Sequence, residues 1–175
     1  MQSILVATDG TPKAREAVEL GVAIAASQQA VVTFLHAVPP TVWKSCGRGS
    51  PVRPVPRRPV GPGGRPAVPP KVPGAEHDEA LRQAAAAAEA QDVNFRLELF
   101  AACTADVIVA RARVLGAGLI VIGAEHASRL HRLAKGSITR SVLRAASCPV
   151  LVALAPVTEH VVRGHQVRPA LGGLA

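Results

Sequence analysis

Short apolar segments alternate with segments of helical character along most of this chain, and that alternation constrains its fold more than any other feature. Five segments have the length and composition of strands, namely residues 3–7, 30–38, 93–100, 119–122 and 150–154. A strand that is followed by a helix and then by a parallel strand makes a right-handed connection. The sequence therefore predicts an α/β protein with a parallel sheet.

Helices are predicted in the segments between these strands. The first has Thr11 at its N-cap position, Pro12 at its first helical position and an end near Ser27. The others cover the alanine-rich segment 75–90, a segment capped by Thr104, and residues 137–146. Each predicted helix thus joins two predicted strands.

The strands differ in their predicted burial. Residues 119–122 and 150–154 are apolar throughout, which predicts burial on both faces of the sheet. Polar residues alternate with apolar ones in 93–100, which predicts a strand with one wetter face.

A proline-rich insertion interrupts the predicted domain. Eleven of the fifteen prolines lie in residues 39–74, so that segment is predicted to be extended and flexible. We therefore predict one domain over residues 1–155, broken by this insertion and followed by a loosely structured tail at 156–175.

The positive charge of the chain belongs to the same insertion. The net charge is +8, and residues 44–71 contain seven basic residues and no acidic ones, which leaves 8 − 7 = +1 for the rest. The insertion could be a solvated linker, or a basic arm that contacts nucleic acid or an acidic partner. Its single aromatic residue, Trp43, makes base stacking a weak explanation.

The remaining composition points to a cytoplasmic protein. No apolar run reaches the length of a membrane span, and the start MQSILVATDG lacks the features of a secretory leader. The three cysteines, Cys46, Cys103 and Cys148, are odd in number and widely spaced, which supports neither a disulfide framework nor a zinc site.

The segment from Leu119 to Val152 suggests a binding site. It predicts a strand, a glycine-bounded loop, a helix that starts at Gly136-Ser137, and a second strand. This order places a helix N-terminus at the carboxyl edge of the sheet, where free backbone N–H groups and the helix dipole favour a phosphate. The segment therefore predicts a nucleotide site.

Two motifs resemble the universal stress protein family. The start ILVATDGTPKAREAVEL is similar to that family's opening strand, acidic turn and first helix. The end VIGAEHASRLHRLAKGSITRSVLRAASCPVLV is similar to its closing signature: a glycine, two residues, a glycine, nine residues, then Gly-Ser or Gly-Thr. The resemblance implies a five-stranded, doubly wound, Rossmann-like sheet of the adenine nucleotide alpha hydrolase type, and a role in the stress response.

The resemblance also implies a site for ATP or a related adenine nucleotide, with or without Mg²⁺. In members of the family that bind ATP, the acidic residue after the first strand contacts the adenosine, the glycine loop with Gly-Ser holds the phosphates, and the end of the second strand contacts the base. The residues implied here are Ala7, Asp9, Val38, Gly123, His126, Gly136, Ser137 and Thr139.

The chain departs from the family pattern at one position of this signature. His126 stands where the second glycine is expected, and glycine there allows a positive φ and close approach of the backbone to phosphate. Glu125 adds a negative charge, which the basic residues within 129–135 could offset. Asp9 could instead form only an Asx turn, Gly123 a tight turn, and Ser137 a helix N-cap.

The sequence contains no recognised catalytic motif, so we predict a binding or regulatory module with at most weak ATPase activity. Three hypotheses follow. The chain could bind an adenine nucleotide, it could act without nucleotide as a homodimer formed through Val150 to Leu154, or its basic insertion could bind nucleic acid or an acidic partner.

Overall fold

The computed structural model describes residues 3–38, 71–101, 104–124 and 138–154. Within them, five strands form one sheet in the order β3-β2-β1-β4-β5, and all neighbouring strands are parallel. The strands are β1 (Ser3–Ala7), β2 (Val31–Val38), β3 (Phe95–Ala101), β4 (Leu119–Ala124) and β5 (Val150–Leu154). The predicted five-stranded parallel sheet is confirmed.

Four α-helices in the described residues cover the two faces of this sheet. They are α1 (Pro12–Gln28), α2 (Glu79–Glu89), α3 (Thr104–Leu115) and α4 (Ile138–Ala145). One buried apolar cluster joins one face of the sheet to α1 and α2, and a second cluster joins the opposite face to α3 and α4. The sheet is therefore doubly wound, as the family resemblance implied.

The strand order creates a switch point between β1 and β4. The chain passes from β1 outward to β2 and β3, whereas it passes from β4 outward to β5 on the other side. The connections that leave the carboxyl ends of β1 and β4 consequently diverge. In open α/β sheets, such a switch point forms the crevice in which ligands bind.

Helix α1 packs very closely on the centre of the sheet. Its predicted apolar face is buried, including Ala14, Val18 and Ala25. Gly21 allows this approach, because a Cβ atom there would lie only 2.5 Å from Cγ2 of Val6 in β1. Helix α1 therefore fixes the position of β1.

The helix predicted over residues 75–90 is divided in the structure. Residues Ala75–His77 form a short 3-10 helix, and α2 begins only after Asp78. Asp78 has an extended backbone, and its side chain accepts a hydrogen bond from the N–H of Leu81, as a helix N-cap does. The prediction of one continuous helix was wrong, because the extended backbone of Asp78 interrupts the helical conformation between His77 and Glu79.

Several element boundaries also differ from the prediction. Strand β3 spans Phe95–Ala101 rather than 93–100, and β4 continues to Ala124. Thr104, which was predicted as an N-cap, is the first residue of α3. Strand β5 has the predicted bounds, but most of its residues are only half-buried because it lies at the edge of the sheet.

The described end of the predicted insertion contacts the sheet. Lys71 forms an antiparallel bridge with Phe100 of β3, and the N–H of Val72 donates a 2.8 Å hydrogen bond to the carbonyl of Leu99. These two residues therefore lie along the outer side of β3. None of the described helices is both long enough and apolar enough to cross a membrane.

Candidate functional site

Four of the predicted site residues come together at the carboxyl edge of the sheet. Ala7 ends β1 and lies in register between Leu35 of β2 and Ile122 of β4. Asp9 follows β1, Gly123 is the next-to-last residue of β4, and Val38 is the last residue of β2. They belong to three adjacent strands, or to the turn after one of them, and surround the switch point.

Of the other four predicted site residues, the structure describes one. Thr139 is the second residue of α4 and is half-buried. His126, Gly136 and Ser137 lie outside the described residues, as does Glu125.

Asp9 belongs to a turn that holds its carboxylate in place. The backbone N–H of Thr11 donates a 3.1 Å hydrogen bond to Oδ1 of Asp9, and the hydroxyl of Thr11 donates to the same oxygen. Thr11 occupies the N-cap position as predicted, but its side chain makes no capping hydrogen bond. Its hydroxyl fixes Asp9 instead.

The turn leaves one oxygen of Asp9 available. Asp9 is exposed, and the contacts of its carboxylate within the described residues all involve Oδ1. The Asx turn and a binding role are therefore compatible, since Oδ2 remains an acceptor for a hydroxyl or amino group. Gly10, which has a φ of 74°, completes the turn by donating to the hydroxyl of buried Thr8 at 3.3 Å.

Gly123 has a packing role that neither sequence interpretation gave it. A Cβ atom at this position would lie 2.1 Å from the carbonyl oxygen of Lys13 and 2.9 Å from the nitrogen of Ala14. The first turn of α1 therefore rests directly on the backbone of β4. Glycine is needed here for close helix–strand packing, and this packing brings the start of α1 to the edge of the crevice.

A histidine–aspartate pair that the sequence prediction missed joins the carboxyl end of β2 to the start of α2. Nδ1 of His36 is 2.9 Å from both carboxylate oxygens of Asp78. His36 is two residues before Val38 on β2, and Asp78 caps α2. The two residues are 42 positions apart in the sequence, so no local motif could have paired them.

The most buried charge in the described residues is Glu98 of β3, whose residue is 1% exposed. Arg111 of α3 donates to it through Nε at 2.5 Å and through Nη2 at 2.6 Å, and Nζ of Lys71 lies 2.7 Å from Oε1. Burial alone would raise the pKa of Glu98, but the hydrogen bonds and charges of Arg111 and Lys71 outweigh it, so the pKa is lowered. Glu98 is thus an ionised, fully paired carboxylate.

This triad bears on two predictions. Glu98 lies on the face of β3 that alternation predicted to be wetter, and it is buried and paired with Arg111 of α3, whereas Arg96 on the same face is exposed as predicted. Lys71 was counted with the basic insertion, and its ammonium group is paired with the buried carboxylate of Glu98. The other six basic residues of that segment lie outside the described residues.

The described part of the chain offers no ready-made metal centre. In it, no group of three or more His, Cys, Asp or Glu side chains could hold a metal ion. A magnesium ion is often held by one or two carboxylates together with phosphate oxygens. Exposed Asp9 could contribute in that way only alongside a bound nucleotide.

Comparison with known structures gives the same fold. The chain matches a universal stress protein in complex with cAMP with a TM-score of 0.60 and 20% identity, covering 89% of this chain and 98% of that one. A universal stress protein from Archaeoglobus fulgidus in complex with dAMP matches with a TM-score of 0.56 and 19% identity, covering 87% and 98%. These likenesses establish the architecture.

A third structure has a somewhat closer sequence. It comes from the universal stress protein family of Burkholderia pseudomallei and matches with 25% identity and a TM-score of 0.54, covering 86% of this chain and 94% of that one. Among curated protein sequences, none matches significantly. The model of the universal stress protein family, however, matches residues 1–47 and 48–153, and the chain therefore belongs to the universal stress protein family.

Proposed function

We propose that this protein binds an adenine nucleotide in the crevice at the carboxyl ends of β1 and β4, as a nucleotide-responsive module of the stress response. The convergence of Ala7, Asp9, Val38 and Gly123 at the switch point carries the proposal. Asp9 supplies a fixed carboxylate whose second oxygen has no partner among the described residues, and Val38 supplies an exposed apolar side chain. Together they suit the polar and the flat apolar parts of a nucleoside.

Two similar proteins indicate which ligands to test first. One was crystallised with cAMP and the other with dAMP. These two compounds share an adenine base and a phosphate on the 5′ oxygen, and they differ at the ribose. AMP contains both shared groups and is the simplest probe, and ATP with and without Mg²⁺ tests the larger ligand that the family resemblance implied.

The first experiment is mass spectrometry of the freshly purified, denatured protein, which would reveal a co-purified nucleotide. The second is calorimetric titration with AMP and ATP. We expect saturable binding, and we expect Asp9→Asn to weaken it about tenfold or more, because a hydrogen bond to a charged group is worth about 1.5–3 kcal/mol. Asparagine retains an acceptor for Thr11, so the turn should survive.

Asp92→Asn is the matched control. Asp92 is also exposed, but it precedes β3 and therefore lies toward the opposite, amino edge of the sheet. Its substitution should leave affinity unchanged. If millimolar AMP and ATP give no heat, or if both variants bind like the wild type, the proposed site is wrong.

A second proposal is dimerisation through β5. This strand is at the edge of the sheet, and its terminal residue Leu154 is 44% exposed. Leu154→Asp should shift a dimer toward monomer in sedimentation velocity runs, whereas Val114→Asp, at an exposed apolar position of α3, should not. A monomeric wild type at micromolar concentration would refute this proposal.

A further inference from the structure

The C-terminal ends of α3 and α4 lie together on one face of the sheet. Nη2 of Arg113 in α3 donates a 3.0 Å hydrogen bond to the carbonyl oxygen of Ala145, the last residue of α4. Just beyond α3, the N–H of Gly118 donates to the carbonyl oxygen of Ser3, the first residue of β1. These helix ends are therefore at the amino edge of the sheet, away from the crevice at its carboxyl edge.

The exposed residues around this contact are cationic and aliphatic. Arg113 and Arg144 are exposed, and so are their sequence neighbours Val114 and Leu143, at 61% and 52%. Neither of these two arginines forms a salt bridge with a carboxylate of the described residues. These four residues together are called the α3–α4 patch below.

The two helices that carry the patch are more basic than the helices on the other face of the sheet. Helices α3 and α4 contain four arginines and one acidic residue, a net charge of 4 − 1 = +3. Helices α1 and α2 contain three basic and four acidic residues, a net charge of 3 − 4 = −1. The single acid of the basic pair, Asp106, is in the first turn of α3, at the opposite end from the patch. No carboxylate of α3 or α4 therefore neutralises the patch.

We propose that the α3–α4 patch binds an acidic segment of a partner protein that also carries aliphatic side chains. Guanidinium groups match carboxylates with paired hydrogen bonds, and arginine is enriched at protein interfaces. Val114 and Leu143 offer apolar contact, which a phosphate backbone cannot use. Helices α3 and α4 contain no aromatic residue on which a base could stack. This combination fits a protein partner better than a nucleic acid.

The test uses the full chain and three short synthetic peptides. The first repeats a Glu-Leu-Leu-Glu unit, the second has Ser in place of Leu, and the third has Lys in place of Glu. In fluorescence anisotropy titrations at physiological salt, the wild type should bind the first peptide more tightly than either of the others. Equal binding of the Leu and Ser peptides would overturn the proposal, because it would show attraction by charge alone.

Two double variants locate the binding. Arg113→Gln/Arg144→Gln should weaken binding of the first peptide about tenfold, because a few anchor residues carry most of the affinity of an interface. Arg57→Gln/Arg58→Gln removes the same charge from the proline-rich insertion and should change the affinity less than about twofold. An insertion variant that loses as much affinity as the patch variant would overturn the proposal.

A third variant covers the case in which loss of the Arg113 hydrogen bond disturbs α4. In Val114→Ser/Leu143→Ser both changed side chains are exposed, so the protein should keep its melting temperature. Its preference for the Leu peptide over the Ser peptide should disappear, and an unchanged preference would refute the role of the patch.

Two further measurements separate the other possible occupants. Sedimentation velocity should give the same oligomeric state for the wild type and all variants. A variant that loses peptide binding and also changes its oligomeric state would overturn the proposal by assigning the patch to an interface between copies. Duplex DNA or phosphatidylglycerol vesicles that bind more tightly than the peptide, and lose that binding in Arg113→Gln/Arg144→Gln, would overturn it in favour of a nucleic acid or a membrane surface.

Discussion

Replacement of Gly123 by alanine should destabilise the protein, because the added Cβ atom would collide with backbone. It would lie 2.1 Å from the carbonyl oxygen of Lys13 and 2.9 Å from the nitrogen of Ala14, and Cβ contacts shorter than 3.0 Å essentially never occur. Helix α1 and strand β4 would have to separate by about 3.0 − 2.1 = 0.9 Å. No side-chain rotation can relieve a contact with the main chain.

Overpacking of a well-packed core typically lowers the free energy of unfolding by about 1–3 kcal/mol. A collision with a peptide unit should lie at the upper end of this range, so we expect a loss of about 3 kcal/mol for Gly123→Ala. For a chain of this size, that loss corresponds to a Tm lowered by roughly 6–12 °C. Urea unfolding followed by circular dichroism gives the free energy, and a thermal scan gives the Tm.

Gly116→Ala separates this overlap from simple backbone strain. Gly116 has a φ of 59° and no atom within 4 Å of its Cβ position, so its substitution should cost only about 1–2 kcal/mol. A Gly123→Ala protein that melts within about 2 °C of the wild type would refute the reasoning from close approach. Gly123 would then have to be explained by contact with a ligand instead.

Three further predictions concern packing, charge and capping. Gly21→Ala should destabilise the wild type, because the added Cβ atom would lie 2.5 Å from Cγ2 of Val6, but it should not destabilise a Val6→Ala background, which lacks that atom. A double-mutant cycle on the free energy of unfolding should give about 1–2 kcal/mol of coupling between the two positions, and additive effects would contradict the contact. Because Glu98 has a lowered pKa in the folded state, its contribution to stability should be present above its ordinary value of 4.5 and lost as the pH falls through the lowered one. The free energy of unfolding, measured by urea denaturation at a series of acidic pH values, should therefore decrease less steeply with falling pH in Glu98→Gln than in the wild type. The same pH dependence in both proteins would contradict this. Asp78→Ala should cost about 1–2 kcal/mol through loss of the α2 cap, whereas Asp78→Asn should retain most of it, and equal losses in urea unfolding would argue against a capping role.

Much of the fold could be predicted from local patterns, because the spacing and the number of apolar residues indicate strands and helices without reference to distant residues. The apolar runs gave β1 and β5 with their observed bounds, and Pro12 marked the start of α1. Asp78 shows the limit of that approach. An aspartate three residues before Leu81 is a typical helix N-cap, but the strong helix propensity of the alanines predicted that the helix began earlier.

The less predictable features depend on contacts between distant segments. The salt bridge of Glu98 with Lys71 and Arg111, and the pairing of His36 with Asp78, become visible only when the sheet brings their elements together. Gly123 illustrates a different difficulty, since the sequence indicated that this glycine is important but did not indicate the packing contact that requires it. The carbonyl of Lys13 that requires it lies on another element.

The contact of Lys71 and Val72 with β3 bears on how copies of this chain can associate. A sheet with two open edges can gain strands at both ends, which is the geometry of a growing filament. Here the insertion returns to the sheet along the outer side of β3, at Leu99 and Phe100. Twofold pairing through β5 would use the opposite edge, and the contacts at Leu99 and Phe100 would hinder the addition of a further strand to that part of β3.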